Sequence, residues 1–172
     1  MSHPTNLLRL NVGFIIHQTI GYSRDFPLGA PQLSIPPDLS IKDFAGVVRV
    51  TRTAQGLLVQ GKAHGIVQSE CVRCLEAVEQ PLEVEFTELY AFTAASVTES
   101  GLFVPENGQL ELAPVIREEM LVAIPMSSLC RPDCRGLCPL CGENLNQSPV
   151  HSHQDDEIDP RLSALKSLLQ ED

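Results

Sequence analysis

The chain has 172 residues, of which 43% are hydrophobic and 20% charged, a balance typical of a soluble globular protein with one domain, or one domain and a small appendage. Its formal net charge of -10 excludes a protein that holds nucleic acid through a broadly basic surface. No uninterrupted apolar run is long enough to span a membrane, and no signal-peptide cleavage site follows the apolar stretch at residues 12–16. We therefore expect a cytoplasmic protein without membrane contacts.

The N-terminal region is predicted to contain one strand followed by a long connection. Apolar side chains alternate with others from residue 7 to residue 16, which indicates a half-buried strand. Residues 21–43 contain four prolines, which interrupt helices and central strands. This second segment is therefore predicted to be a loop that tucks against the core.

The middle of the chain is predicted to form an antiparallel β meander. Alternating apolar residues indicate strands at residues 46–53 and 57–69, joined by a tight turn. A further strand is expected at residues 82–92. Cys71 and Cys74 then lie at the tip of the second hairpin.

The C-terminal half is predicted to be less regular. Residues 93–109 are polar and indicate a loop, Pro114 suits the first turn of a helix that runs to about Ala123, and a second short helix is expected from Asp159. The predicted fold class is α+β, mostly an antiparallel β meander with one or two short helices and a C-terminal cysteine-rich zinc knuckle. We expect a β-rich core domain at 1–125 and a segment at 126–172 that carries the knuckle and the last helix.

The six cysteines are spaced as metal ligands rather than as disulfide partners, in a chain without an export signal. They are arranged as Cys71-x2-Cys74 and Cys130-x3-Cys134-x3-Cys138-x2-Cys141. Thiolates favour zinc, and four of them provide the closed tetrahedral geometry of a structural site. Gly142 follows the last cysteine, where a zinc knuckle requires a left-handed turn.

Two ligand sets remain open on the sequence alone. The favoured set is local, because ligands joined by short loops lose little conformational entropy when the site closes; it consists of Cys130, Cys134, Cys138 and Cys141. The second set combines the hairpin tip with the knuckle, as in a zinc ribbon; it consists of Cys71, Cys74, Cys138 and Cys141.

Other chemistry is less well supported by the pattern. His151 and His153 are candidate ligands on an extended segment, although solvated loop histidines are commoner. A redox role for Cys71 and Cys74 would require a helix after the first thiol, whereas the flanks predict a hairpin. The chain contains no nucleophile elbow, phosphate-binding loop or metalloprotease motif, and a closed four-thiolate site leaves no position for a substrate. We therefore expect a protein that is not an enzyme.

Four segments, taken in order, carry a resemblance to a known family. They are Tyr22-Ser-Arg-Asp-Phe26, then Cys71-Val-Arg-Cys74-Leu75, then Leu129-Cys-Arg-Pro-Asp-Cys134-Arg-Gly-Leu-Cys138-Pro-Leu-Cys141-Gly-Glu-Asn-Leu-Asn146, and finally Asp159-Pro-Arg161-Leu162. This series resembles the YceD family of large ribosomal RNA subunit accumulation proteins over most of the chain.

The resemblance implies a non-enzymatic factor for 23S rRNA accumulation or processing and for assembly of the large ribosomal subunit. Its partner would be a large-subunit precursor, either 23S rRNA or a large-subunit protein, and no small-molecule substrate is implied. A thiol-redox or metal-responsive regulatory binding protein is the alternative.

Candidate contacts to such a partner are arginines that flank the knuckle or lie in the N-terminal half, where acidic and basic residues nearly balance. They are Arg73, Arg131, Arg135, Arg49 and Arg52. Exposed arginines on a sheet are commonly only solvated, so direct RNA contact and contact through a protein both remain open.

Overall fold

The computed structural model describes residues 7–148 and 150–153. The strands are β1 (Arg9–Asn11), β2 (Ser23–Ile35), β3 (Leu39–Arg52), β4 (Gly56–Glu70), β5 (Ala77–Ala91) and β6 (Gln109–Glu111). The helices are α1 (Gly13–Ile16) and α2 (Ala113–Ala123), with one turn of 3-10 helix at Ala94–Ser96. The predicted C-terminal helix lies outside the described residues.

The longest strands form one antiparallel sheet in the order β2-β3-β4-β5, each paired with the next along the chain. A separate antiparallel pair joins β1 to β6. Short turns join successive strands; at one of them the Thr53 hydroxyl accepts a hydrogen bond from the Gly56 N–H at 3.1 Å. The α+β class and the β meander are therefore confirmed.

The prediction of a loop at residues 21–43 is wrong, because most of this segment forms strand β2 and the start of β3. The prolines are compatible with β2 because, among the described residues, it is an edge strand paired only with β3, where a missing N–H need not interrupt a ladder. Pro31 has no partner in the register, whereas Ala30 and Gln32 pair with Phe44 and Lys42.

The single strand predicted at residues 7–16 is also wrong over most of its length. Only β1 is extended, and the chain then turns into α1. Val12 and Ile15 are both fully buried although they are three residues apart, a spacing that one turn of helix can place on one side. The alternating pattern did not distinguish this arrangement from a strand.

An irregularity in β3 determines the packing of the core. The register with β4 shifts between Lys42 and Ala45, and Asp43 has a positive φ of 49°. Ile41 and Phe44 would face opposite sides of a regular strand, yet 0% and 1% of their surface is exposed. The bulge therefore turns both side chains into the core.

Within the described part of the chain, one face of the large sheet is covered and the other is open. β1, α1, β6 and α2 contribute buried side chains to the same core as the sheet, and Arg117 of α2 forms a bidentate ion pair with Asp38 in the β2–β3 turn. In the part of the chain described, neither helix has the length and apolar character needed to cross a bilayer. At the far end of β4 the hairpin tip at residues 71–76 carries the first cysteine pair toward the segment that follows α2.

Candidate metal centres

The β4–β5 hairpin tip is joined to residues 128–137 by hydrogen bonds at several points. The Val72 N–H donates to the Ser128 carbonyl at 2.9 Å, and the Leu137 N–H donates to the Arg73 carbonyl at 3.0 Å. The Arg73 guanidinium also donates to the Cys134 carbonyl at 2.8 Å. These contacts place two cysteine pairs, more than fifty residues apart in sequence, against each other.

The resulting four-thiol cluster consists of Cys71, Cys74, Cys130 and Cys134, whose sulfurs all lie within 4.8 Å of one another. The Cys71 and Cys134 sulfurs are 3.8 Å apart, and those of Cys74 and Cys130 are 3.6 Å apart. Sulfurs bound tetrahedrally to one zinc ion at about 2.3 Å are about 3.8 Å apart. A disulfide would bring two sulfurs to about 2.05 Å. The spacing is therefore that of a metal site.

Backbone amides and burial give the thiols of this cluster different proton affinities. Hydrogen bonds from backbone N–H groups, first that of Cys130 and then those of Cys74 and Arg73, lower the pKa of Cys71 to about 6. At Cys74 the backbone N–H of Glu76 acts to lower the pKa, but burial and the neighbouring thiols raise it to about 12. Without a cation the four groups cannot all be thiolates at neutral pH, whereas a divalent ion would stabilise four negative charges here.

The two Cys-x2-Cys segments share one backbone conformation. The Leu75 N–H donates to the Cys71 carbonyl and the Gly142 N–H donates to the Cys138 carbonyl, each at 2.9 Å. Leu75 and Gly142 both have a positive φ, of 61° and 76°. Both segments therefore share this turn, which is typical of metal-binding knuckles, although leucine occupies in the first the position that glycine occupies in the second.

A second group, the Cys2His2 cluster, consists of Cys138, Cys141, His151 and His153. The Cys138 sulfur lies 3.1 Å from His153 Nε2, and the Cys141 sulfur lies 3.2 Å from His151 Nε2. The two Nε2 atoms are 2.8 Å apart. The backbone N–H groups of Cys141 and Leu140 lower the pKa of Cys138 to about 6, and the His153 side chain adds to this effect.

The structure distributes the predicted ligands differently from both sets derived from the sequence. The local set is divided: Cys130 and Cys134 lie with the hairpin tip, while Cys138 and Cys141 lie with the histidines. The second set is divided as well, because the hairpin tip does not share a group with Cys138 and Cys141. Where the sequence predicted one site, the described residues thus contain two clusters, each of four side chains that could hold a metal ion. The physical reason is that the paired hairpin already places two thiols beside Cys130 and Cys134.

Asn146, which the cysteine spacing did not identify, links the segments around the four-thiol cluster. Its amide Nδ2 donates to the Cys134 sulfur at 3.3 Å, and its Oδ1 accepts from the Arg135 backbone N–H at 2.9 Å. The hydrogen bond from the Asn146 amide to the Cys134 sulfur is the largest of the effects that lower the pKa of Cys134. Groups that bond to metal ligands orient them and favour their charged form. A polar Asn-Leu-Asn segment after a knuckle is the signal that points to such a role.

We expect Asn146→Ala to lower the metal affinity of the four-thiol cluster about 10- to 100-fold, since the variant loses the N–H that stabilises the Cys134 thiolate. Asn146→Asp should be at least as harmful, because it places a carboxylate against that sulfur. Chelator competition measures the affinity. Gln147→Ala is the control, because Gln147 contacts Glu76 at the surface rather than a thiol. Equal affinities in all three variants would contradict this role.

Gly136 and Gly142 provide a matched pair for testing the packing between the two halves of the four-thiol cluster. Both have a positive φ, but a Cβ on Gly136 would lie 2.9 Å from the Arg73 carbonyl oxygen, whereas one on Gly142 would have no neighbour within 4 Å. We expect Gly142→Ala to cost about 1 kcal/mol of unfolding free energy from backbone strain. Gly136→Ala should cost about 1–3 kcal/mol more because of overpacking. Urea unfolding of the metal-loaded variants measures both, and equal losses would show that the contact is unimportant.

The arginines predicted as partner contacts do not form one patch. Arg73 and Arg131 lie beside the four-thiol cluster, where Arg131 donates to Asn146 Oδ1 at 2.8 Å, and the Arg135 backbone contacts the same amide. Arg49 forms a bidentate ion pair with Asp25 on the open face of the sheet. Arg52 is the last residue of β3 and pairs with the start of β4, far from the cysteines that follow the end of β4. Its guanidinium donates to the Ile16 carbonyl and stacks on the Phe92 ring at 4.3 Å.

The chain is similar to proteins of Mycobacterium and Bacillus. The chain is 38% identical over 128 residues to the uncharacterized protein Rv2926c of Mycobacterium tuberculosis, covering 71% of this chain and 60% of that protein. It is 33% identical to ML1660 of Mycobacterium leprae over 73% of this chain and 58% of that protein, and 31% identical to YlbN of Bacillus subtilis over 59% and 60%. Both of these are also described as uncharacterized.

The matched stretch thus spans about 60% of the length of these curated relatives. No solved structure matches the chain significantly. The family sequence model described as "Large ribosomal RNA subunit accumulation protein YceD" matches residues 59–169, which is more than half of the chain and includes all six cysteines. The chain therefore belongs to the YceD family.

Proposed function

We propose that this chain is a non-enzymatic cytoplasmic factor that supports 23S rRNA accumulation and assembly of the large ribosomal subunit. The observation that carries the proposal is membership of a family described by accumulation of large-subunit ribosomal RNA. The partner is a large-subunit precursor, contacted through 23S rRNA or through a large-subunit protein. The net charge of -10 favours a local contact over a broad electrostatic one.

The metal proposed for the four-thiol cluster is a structural zinc ion. Four thiolates in tetrahedral spacing are the ligand set that zinc prefers, and they leave no open position for a substrate or an activated water. Three of the four thiols are buried, and Cys130 lies at the surface. An ion bound here would hold residues 128–137 against the end of the sheet.

The groove on the open face of the sheet offers little support for an enzyme. It has a volume of about 440 Å³ and is lined in part by Asp25, Arg49, Lys62 and Glu85. These charges form two ion pairs, Asp25 with Arg49 and Lys62 with Glu85. Paired, exposed charges of this kind are typical of a solvated sheet face rather than of a general acid or base.

The recognition surface is proposed at the end of the molecule that the metal orders. Three apolar side chains on the two knuckles, Val72, Leu75 and Leu140, are each more than half exposed. Exposed apolar side chains on an ordered surface are typical of interaction sites. Arg73 lies between Val72 and Leu75 in sequence, so the first knuckle combines apolar and basic groups.

Complementation of a strain that lacks the chain tests this proposal. Loss of the chain should lower the ratio of 23S to 16S rRNA and the amount of free large subunits, and the wild-type chain should restore both. Val72→Glu should restore them poorly while keeping its metal. Val47→Glu, at a similarly exposed valine on the open sheet face, should complement fully. An unchanged rRNA ratio in the strain without the chain would refute the proposal.

Sedimentation of lysates from the complemented strain tests the identity of the partner. The chain should migrate with large-subunit precursors in a sucrose gradient. Release by RNase and by added salt would indicate contact with 23S rRNA, whereas resistance to both would indicate contact with a large-subunit protein. Absence of the chain from all precursor fractions would contradict contact with either 23S rRNA or a large-subunit protein of the precursor.

A thiol-redox or metal-responsive binding protein is the second candidate. It is favoured by the 3.6 Å separation of the Cys74 and Cys130 sulfurs and by the surface position of Cys130. Peroxide would take two electrons from these thiols and yield a disulfide and water, with loss of the metal. Alkylation mass spectrometry of the protein after peroxide treatment tests this candidate. Peroxide should decrease the alkylation of Cys74 and Cys130, and unchanged alkylation of both would contradict it.

A further inference from the structure

We propose that Cys138, Cys141, His151 and His153 form a second zinc site, which binds its own ion independently of the four-thiol cluster. The chain would then carry two metal ions, one held by four thiolates and one by two thiolates and two imidazoles. This inference does not depend on the proposed function, because it concerns only what these side chains bind.

The first support is the convergence of four donor atoms of the right kind. All four lie within 4.8 Å of one another, and both histidines direct the same ring atom, Nε2, at the thiols. The imidazole rings are nearly perpendicular, at 83°, with centroids 4.6 Å apart. Two thiolates and two imidazoles at tetrahedral spacing are a ligand set typical of zinc.

The alternative, a cluster held only by hydrogen bonds, satisfies these groups poorly. At 2.8 Å the two Nε2 atoms must share a single proton, so one nitrogen has to act as the acceptor. Histidines on a surface loop can instead turn their nitrogens to water. In a tetrahedral zinc site the two nitrogens would be about 3.3 Å apart, so an ion would need to separate them by only about 0.5 Å.

The second support is that the loop which carries the ligands is held by its own hydrogen bonds. The Cys138 N–H donates to the Glu143 carbonyl at 2.8 Å, and Leu137 pairs with Asn144 in an isolated antiparallel bridge. The Ser148 hydroxyl donates to Glu143 at 2.8 Å, and the His151 N–H donates to the Ser148 carbonyl at 3.2 Å. All four ligands lie within residues 138–153, so closing the site orders only a short loop.

The two sites share no ligand, and their chemistry differs. With zinc bound, the four-thiol cluster would keep a net negative charge, whereas two thiolates and two neutral imidazoles balance the ion. Cys141 and His153 are exposed, whereas Cys71 and Cys134 are buried. A chelator should therefore reach the Cys2His2 cluster first, and the two ions should be released at different rates.

Zinc stoichiometry of the full chain tests the proposal. Native mass spectrometry and metal analysis should find two zinc ions in the wild-type protein and one in His151→Ala/His153→Ala. Cys71→Ser/Cys74→Ser should also retain one, and far-UV circular dichroism verifies that each variant is folded. His64→Ala, an exposed histidine on the open sheet face, is the control and should retain two. A wild-type protein with one zinc, or a double-histidine variant with two, would overturn the proposal.

Cobalt substitution identifies the site that remains in each variant. In Cys71→Ser/Cys74→Ser, Co²⁺ should give d–d bands at shorter wavelength than in His151→Ala/His153→Ala, because nitrogen ligands split the d orbitals more than sulfur ligands do. The thiolate-to-cobalt charge-transfer band should be about half as intense, since two thiolates bind instead of four. Identical spectra in the two variants would refute separate sites, as would loss of both ions in either folded variant.

Discussion

Cys74→Ser is expected to abolish metal binding at the four-thiol cluster and to release residues 128–137 from the end of the sheet. Cys74 is 5% exposed and its sulfur lies among three others, so a serine hydroxyl would leave the ion with three soft ligands in a buried site. Because metal binding and local folding are coupled at such sites, the affinity should fall by more than about 100-fold.

Hydrogen–deuterium exchange with metal analysis measures this effect. The amides of Cys134 and Leu137, which donate to the Arg131 and Arg73 carbonyls, should lose most of their protection, while amides in β3 and β4 keep theirs. Val72→Ala is the control, because this exposed residue lies on the same turn and is not a ligand. Unchanged exchange at Leu137 in Cys74→Ser would show that the hydrogen bonds alone hold the segment.

Phe44→Ala is expected to lower the free energy of unfolding of the sheet by about 3–5 kcal/mol. Phe44 is the largest of the fully buried side chains among the described residues, with 1% of its surface exposed. Removing the ring leaves a cavity between the sheet and the elements that cover it. The bulge at Asp43 fixes the backbone there, which limits how far the core can collapse into that space.

Urea unfolding with zinc present in excess measures the loss at Phe44, with Phe103→Ala as the control. Phe103 is 47% exposed, so its removal should cost less than about 1 kcal/mol. Equal losses in the two variants would show that Phe44 is not a central core residue. Cys74→Ser and Phe44→Ala should also have different effects. The first should release residues 128–137 locally, whereas the second should lower the free energy of unfolding of the whole sheet.

The strands of the meander were predictable because their pattern and their partners agree. From Gly46 onward in β3, and through β4 and β5, apolar and polar residues alternate, so local preference and tertiary pairing favour the same structure. In β2 they conflict, because Pro27 and Pro31 disfavour a strand by themselves. Only the position of β2 at the edge of the sheet, which no local pattern records, makes those residues compatible with it.

The presence of clustered metal-binding side chains was likewise predictable, but which of these side chains share a cluster was not. Loop-closure entropy favours ligands close in sequence, and that argument selects Cys130 with Cys138. It omits the β4–β5 pairing, which holds Cys71 and Cys74 together at one hairpin tip and so lowers the entropic cost of ligands that are distant in sequence. Leu75, in a position where knuckles commonly carry glycine, also concealed the likeness between the two Cys-x2-Cys turns.

The sequence by itself determined the fold class, the family and the chemistry of the donors, because alternation, Cys-x2-Cys spacing and residue type are local properties. Tertiary structure alone decided that the donors form two groups of four, that Asn146 contacts a thiol, and that the predicted arginines are divided between the four-thiol cluster and the sheet. Each of these depends on which segments the sheet brings together. A pairing between residues 71 and 134 is set by the packing of the whole chain rather than by the neighbours of either residue.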